Sequence, residues 1–145
     1  MIVKVKKLND SAILPTKGSE FAAGSDLYAN NQEDVVIEAH QTILVPTGLS
    51  IELPINTVGL IYARSGLASK SGLAPANKVG VIDCDYRGEV MVALHNHSQQ
   101  TQVVKQGERI AQLVVMPYFE VDYQISDSLS ETLRNKGGFG SSGHR

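Results

Sequence analysis

A chain of 145 residues, 15.6 kDa and 42% hydrophobic, is sized for one domain with its own core, which excludes two catalytic domains and a disulfide-stapled miniature. A net charge of −2, with no basic run longer than Lys6-Lys7, excludes the electrostatic footprint of a duplex nucleic-acid binder, though not a small anionic ligand. The single Cys84 cannot form an internal bridge, and the polar start Met1-Ile-Val-Lys-Val-Lys-Lys7 lacks an apolar signal core, so a cytoplasmic location is expected and the sequons at Asn9 and Asn96 are read as chance.

In chain order, apolar runs bounded by turn residues fall at 2–5, 34–37, 42–45, 49–53, 58–63, 79–82, 89–94, 102–104 and 110–116. None is long enough to span a membrane as a helix. Between them stand Pro15, Pro46-Thr-Gly48, Pro54, the stretch 72–75, Gly88 and Gly107, a punctuation that predicts strands rather than helices. The fold class is therefore all-β: sandwich, jelly roll or barrel. Two single helical turns are expected, at 67–71 and at 128–133, the second with Ser128 as N-cap and Glu131 three residues on. From Tyr123 onward the chain is polar and Ser-rich, as a mobile arm would be. Within 89–94, Val90, Val92 and Leu94 share one face while Met91 and Ala93 make the other apolar too. That pattern predicts burial on both sides, the second under another subunit.

Four places hold chemistry-bearing residues, each with a plain alternative. Asp83-Cys84-Asp85, between the run 79–82 and Tyr86-Arg87-Gly88, gathers two carboxylates, a phenol and a guanidinium at one corner. Acids at turns are commonly only solvated, yet Asp83 beside buried chain has the placement of a base toward water. Arg64-Ser65-Gly66 is either a polar loop or a phosphate cradle of guanidinium, hydroxyl and backbone N–H groups. Gly138-Phe-Gly-Ser-Ser-Gly143 matches G-x-G-x-x-G, but only two residues follow, so the helix of a dinucleotide fold is excluded. It is either a tail without structure or a lid in which Phe139 stacks on a base. His95-Asn96-His97 has metal-ligand spacing on a strand, but the next acid, Glu108, lies eleven residues beyond His97, and the pair is read as surface histidines.

Taken together, five segments in order resemble the motifs of the trimeric dUTP diphosphatase (dUTPase) family. They are Ala23-Gly-Ser-Asp-Leu27; Ala63-Arg-Ser-Gly-Leu-Ala68; Asn77 through Gly80-Val-Ile-Asp-Cys-Asp-Tyr-Arg-Gly-Glu89; Gly107-Glu-Arg-Ile-Ala-Gln-Leu113; and Arg134 with Gly137-Gly-Phe-Gly-Ser-Ser-Gly143. The resemblance implies a distorted jelly roll, a dUTPase-like β-barrel or sandwich, over residues 1–122. It further implies a flexible C-terminal arm, 123–145, that closes over the active site of a neighbouring subunit in a homotrimer. The implied reaction is Mg²⁺-assisted hydrolysis of dUTP to dUMP and pyrophosphate, which limits uracil incorporation into DNA and supplies dUMP for thymidylate synthesis.

The implied roles follow the motifs. Asp83 would activate water, Tyr86 would pack on the deoxyribose, and Asn77 with the hairpin backbone at Val81 would read the uracil edge. Arg64, Ser65, Gly66, Gln112, Arg134, Ser141 and Ser142 would hold phosphates, Phe139 would stack on the base, and Gly140 would be a further substrate contact. No direct protein ligand to the metal is expected, with Asp26 at most in its outer shell. Asn135 and Ser142 depart from the family's Gly and Thr at those positions; Asn tolerates left-handed backbone and Ser keeps the hydroxyl. The rival readings are a dCTP deaminase, which would carry Arg-Ser-Ser in the second motif, and a regulatory protein using the nucleotide as a switch.

Overall fold

The computed structural model describes residues 1–137. Its strands are β1 (Lys4–Lys7), β2 (Thr16–Lys17), β3 (Ser25–Tyr28), β4 (Val35–Ile37), β5 (Thr42–Glu52), β6 (Thr57–Tyr62), β7 (Leu73–Pro75), β8 (Gly80–Ile82), β9 (Glu89–Asn96), β10 (Gln102–Val104) and β11 (Arg109–Pro117). One helix, α1 (Ser65–Ser71), interrupts them. The all-β class expected from the punctuation is what the chain adopts. A four-stranded sheet in the order β1-β5-β9-β7 faces a five-stranded sheet in the order β2-β3-β11-β6-β8, and β10 pairs with β4 in a two-stranded ribbon. Every pairing is antiparallel.

The core lies between the large sheets, where Val45, Ile51, Val90, Val92 and Leu94 of one meet Leu27, Ile61, Ile110 and Leu113 of the other. Alternation places them there: along β9 every second residue, from Val90 to Asn96, is buried. Burial of both faces of that strand is not reached within one chain, because Met91 and Ala93 are only half covered and the neighbouring Leu44 is 54% exposed.

Three departures from the sequence expectation have physical causes. The runs 42–45 and 49–53 form one strand, and Pro46-Thr-Gly48 is a bulge inside it rather than a connection, with the β5–β9 register shifting between Pro46 and Ser50. Its freed groups find side-chain partners: Gly48 N–H donates to Glu89 Oε1 at 2.7 Å, and the Thr47 and Ser50 hydroxyls donate to the Val90 and Arg87 carbonyls at 2.6 and 2.8 Å. Strands β2 and β3 carry too few apolar residues to announce themselves, and β7, only three residues long after Gly72 and ending in Pro75, reads as a spacer; Pro75 is tolerated because β7 is an edge strand. The helical turn expected at 128–133 does not form. Leu129 and Leu133 are almost fully exposed, and a lone turn without tertiary packing does not repay its nucleation cost.

Asn96 closes β9 with its side chain fully buried. Its amide donates to the carbonyls of Ile37 and Gln100, and its oxygen accepts from Ser98 N–H and Oγ–H. That sequon offers no accessible amide for a glycan.

Candidate functional site

The candidate residues sort into two clefts. The first, of about 350 Å³, lies where the connection from β7 to β8 meets the outer face of β9, and is lined by Asn77, Gly80, Val81, Ile82, Asp83 and Tyr86 together with Leu44 and Met91. Val81 is 60% exposed on the edge strand β8, and the Asp83 carboxylate is exposed one residue beyond it. The corner is tied by its own backbone and side chains. Tyr86 N–H donates to the Asp83 carbonyl at 3.1 Å, the Tyr86 hydroxyl donates to the Glu89 carbonyl at 3.0 Å, and the Arg87 guanidinium donates to the carbonyls of Cys84 and Tyr86. A Cβ at Gly88 would overlap the Tyr86 phenol and displace it. Arg87 thus fastens the turn.

Tyr118, just past β11, also belongs to this corner and carried no sequence signal. Its phenol is raised above its ordinary value, first by the charge of Cys84, then by burial, a Cys84 hydrogen bond and the charges of Glu120 and Asp83.

The second cleft, of about 510 Å³, is lined by Gly24, Asp26, Arg64, Ser65, Gly66, Arg109 and Gln112, among others. Arg64 stands at the N-cap of α1 in extended backbone, so Ser65 and Gly66 open the helix with N–H groups that have no intrahelical acceptor. Arg64 Nε donates to Asp26 Oδ1 at 2.7 Å, and an Arg109 terminal N–H donates to Asp26 Oδ2 at 3.3 Å. Gln112 is anchored by donating its amide to the Ala63 carbonyl at 2.8 Å. Its other end rests on Gly24, where any Cβ would overlap the Gln112 side chain. Arg109 lies within the fourth motif, and its partner Asp26 is 83 residues away, a pairing that no local pattern announces.

Asp83 in the first cleft and Arg64 in the second lie toward opposite ends of β6. Ile82 pairs with Gly59, which places Asp83 beside Val58, while Arg64 follows the other end of the strand. Six residues of extended chain at roughly 3.3 Å each separate those positions by about 20 Å.

The remaining candidates fall outside both clefts. His95 and His97 meet edge to face with ring centroids 4.4 Å apart, and His95 Nδ1 hydrogen-bonds the Thr42 hydroxyl at 2.8 Å. Among the described residues no three His, Cys, Asp or Glu side chains gather as a metal-binding group. Arg134 is exposed and donates from Nε to the Gly137 carbonyl at 3.0 Å; Asn135 beside it takes a positive φ of 41°. Phe139, Gly140, Ser141 and Ser142 lie outside the described residues. Among the described residues no helix is long and apolar enough to cross a membrane.

Comparison with known proteins gives this arrangement its context. The dUTPase family model matches residues 10–143. The chain is 53% identical over 131 residues to the deoxyuridine 5'-triphosphate nucleotidohydrolase of Desulfitobacterium hafniense, covering 90% of this chain and 87% of that one. It is 46% identical over 142 residues to the enzyme of the same name from Rickettsia felis, covering 97% and 96%. The structure superposes on Staphylococcus bacteriophage 80alpha dUTPase with dUpNHpp at a TM-score of 0.86 and 27% identity, over 99% of both chains. With nearly its whole length matched in sequence and in fold, the chain belongs to the dUTPase family, enzymes that hydrolyse dUTP to dUMP and pyrophosphate.

Proposed function

We propose that this chain hydrolyses dUTP at sites assembled between the subunits of a homotrimer, with the nucleoside held in the Asp83 cleft of one subunit and the phosphates in the Arg64 cleft of another. One observation carries the reading: the two residue sets occupy separate clefts, with Asp83 and Arg64 toward opposite ends of β6. The half-covered apolar face of β9 and the exposed Leu44 and Val81 beside the first cleft supply surface for a neighbour to cover.

In this reading the Asp83 carboxylate orients a water and takes its proton as the water oxygen bonds the α-phosphorus. The bond to the bridging oxygen breaks, and pyrophosphate leaves in line. Asn77 offers an amide donor and acceptor to the uracil edge beside the backbone at Val81, and the fastened Tyr86 ring closes on the sugar where a 2′-hydroxyl would stand. Arg64, the N–H groups at Ser65 and Gly66, and Gln112 stabilise charge developing on the leaving group. The arm, residues 123–145, brings Arg134, Phe139, Gly140, Ser141 and Ser142 over a neighbour's site and excludes water.

The donor set suits Mg²⁺ that arrives with the triphosphate. Both Asp26 oxygens already accept guanidinium hydrogen bonds, which leaves them outer-sphere contact through water. When bound, the ion would neutralise phosphate charge.

The test is a pyrophosphate-release assay across dUTP, dTTP, dCTP and UTP. Release from dUTP alone is expected; ammonia from dCTP without pyrophosphate from dUTP would replace the reading with deamination.

A further inference from the structure

We infer that Arg109 is a positioning residue of the phosphate cleft, forming with Asp26 and Arg64 a charged triad whose surplus positive charge faces the triphosphate. The inference rests on the reading above that Arg64 meets phosphate. Three separate elements supply the triad: Asp26 from β3, Arg64 from the junction of β6 and α1, and Arg109 from the start of β11. Each guanidinium takes a different oxygen of Asp26, whose side chain is only 14% exposed, and Arg64 also donates to the Arg109 carbonyl at 3.4 Å. With Nε committed to Asp26, the far edge of the Arg64 fork is directed by that bond. A carboxylate this covered, holding a single partner, would present its second oxygen to the cleft and repel phosphate.

The backbone at Arg109 supports the assignment independently. The β11–β3 register shifts between Arg109 and Ala111, and the two residues after Arg109, Ile110 and Ala111, are both buried. A bulge of this kind re-aims the side chain next to it, and here that side chain lines the Arg64 cleft.

The charge count yields a signature that a purely structural role lacks. The intact triad carries two positive charges and one negative, a surplus of one. Arg109→Ala makes it neutral, and adding Asp26→Asn restores the surplus. The experiment is steady-state pyrophosphate release from dUTP by wild type, Arg109→Ala, Arg109→Lys and the Arg109→Ala/Asp26→Asn double variant, at low and moderate salt. Inhibition by inorganic tripolyphosphate is measured alongside, with unfolding curves and native mass as controls.

Arg109→Ala should raise KM about tenfold and weaken tripolyphosphate inhibition in parallel, with a gap that narrows as salt rises. Turnover at saturation should change less than about threefold. Lysine should recover part of the loss, and the double variant should bind tripolyphosphate more tightly than Arg109→Ala. Unchanged KM and inhibition in Arg109→Ala, or a double variant that binds tripolyphosphate no more tightly than Arg109→Ala, overturns the proposal. Should Arg109→Ala not fold, the lysine and double variants carry the same comparison. A wild type that releases no pyrophosphate from dUTP defeats the functional reading instead, and tripolyphosphate calorimetry then still decides the triad.

Discussion

Asp83 is exposed at the end of β8, so replacing its carboxylate leaves the fold without a lost contact to repair. Asp83→Asn should keep KM for dUTP nearly unchanged and lower kcat at least about 10²-fold, the loss expected of a missing general base. Gly88→Ala acts on the same corner by steric displacement: the new methyl pushes the Tyr86 phenol from the Glu89 carbonyl. Its expected outcome is a raised KM for dUTP with relaxed rejection of UTP, read from the ratio of kcat/KM values. His97 gives a pH-dependent expectation. Partial desolvation of this exposed ring first, and then the charges of Lys78, His95 and His40, hold it below the ordinary value of 6.5, so the unfolded chain takes the proton more readily. Nothing is lost while both forms are neutral; stability falls as pH drops below about 6.5, where unfolding gains a proton. Urea midpoints across that range should decline in wild type and decline less in His97→Gln. At this level Asp83 and Arg64 were legible as candidates because each sits in a short string whose chemistry is local, whereas Gln112 entered only through the family resemblance. Arg109 and Tyr118 were not legible, since what matters about each is a partner far away along the chain.

The elements that announced themselves were those with apolar alternation, such as β9, whose buried positions follow the strand period from Val90 onward. Punctuation misled at β5, because proline and glycine mark a bulge as readily as a turn. The bulge is costly to disturb. Gly48 has φ +68°, and a Cβ there would run into the Asn30 amide and the Ala12 methyl. Gly48→Ala should therefore lower stability by about 2 kcal/mol or more, measured by denaturant unfolding. The polar strand β3 was hidden for the opposite reason: only Leu27 is buried in it, while Asp26 is reserved for the cleft. Strands that carry function give up alternation, and sequence patterns weaken where the site begins.

At the scale of the whole molecule, β6 sets the distance between Asp83 and Arg64. Composition and length described one folding unit, and the structure of that unit divides the candidate residues between two clefts, one holding Asp83 and the other Arg64. No pattern within the chain specifies that separation, which depends on the antiparallel pairing of β6 with β8. The consequence reaches to inheritance. On the proposed site shared between subunits, a gene damaged at Asp83 and a gene damaged at Arg64 each encode a chain unable to complete any site alone. Expressed together in equal amounts they form mixed trimers, and a site drawing Asp83 from one subunit and Arg64 from another is intact in about a quarter of random pairings. Two inactive alleles should then complement each other, whereas both lesions placed on one allele should not complement an inactive partner.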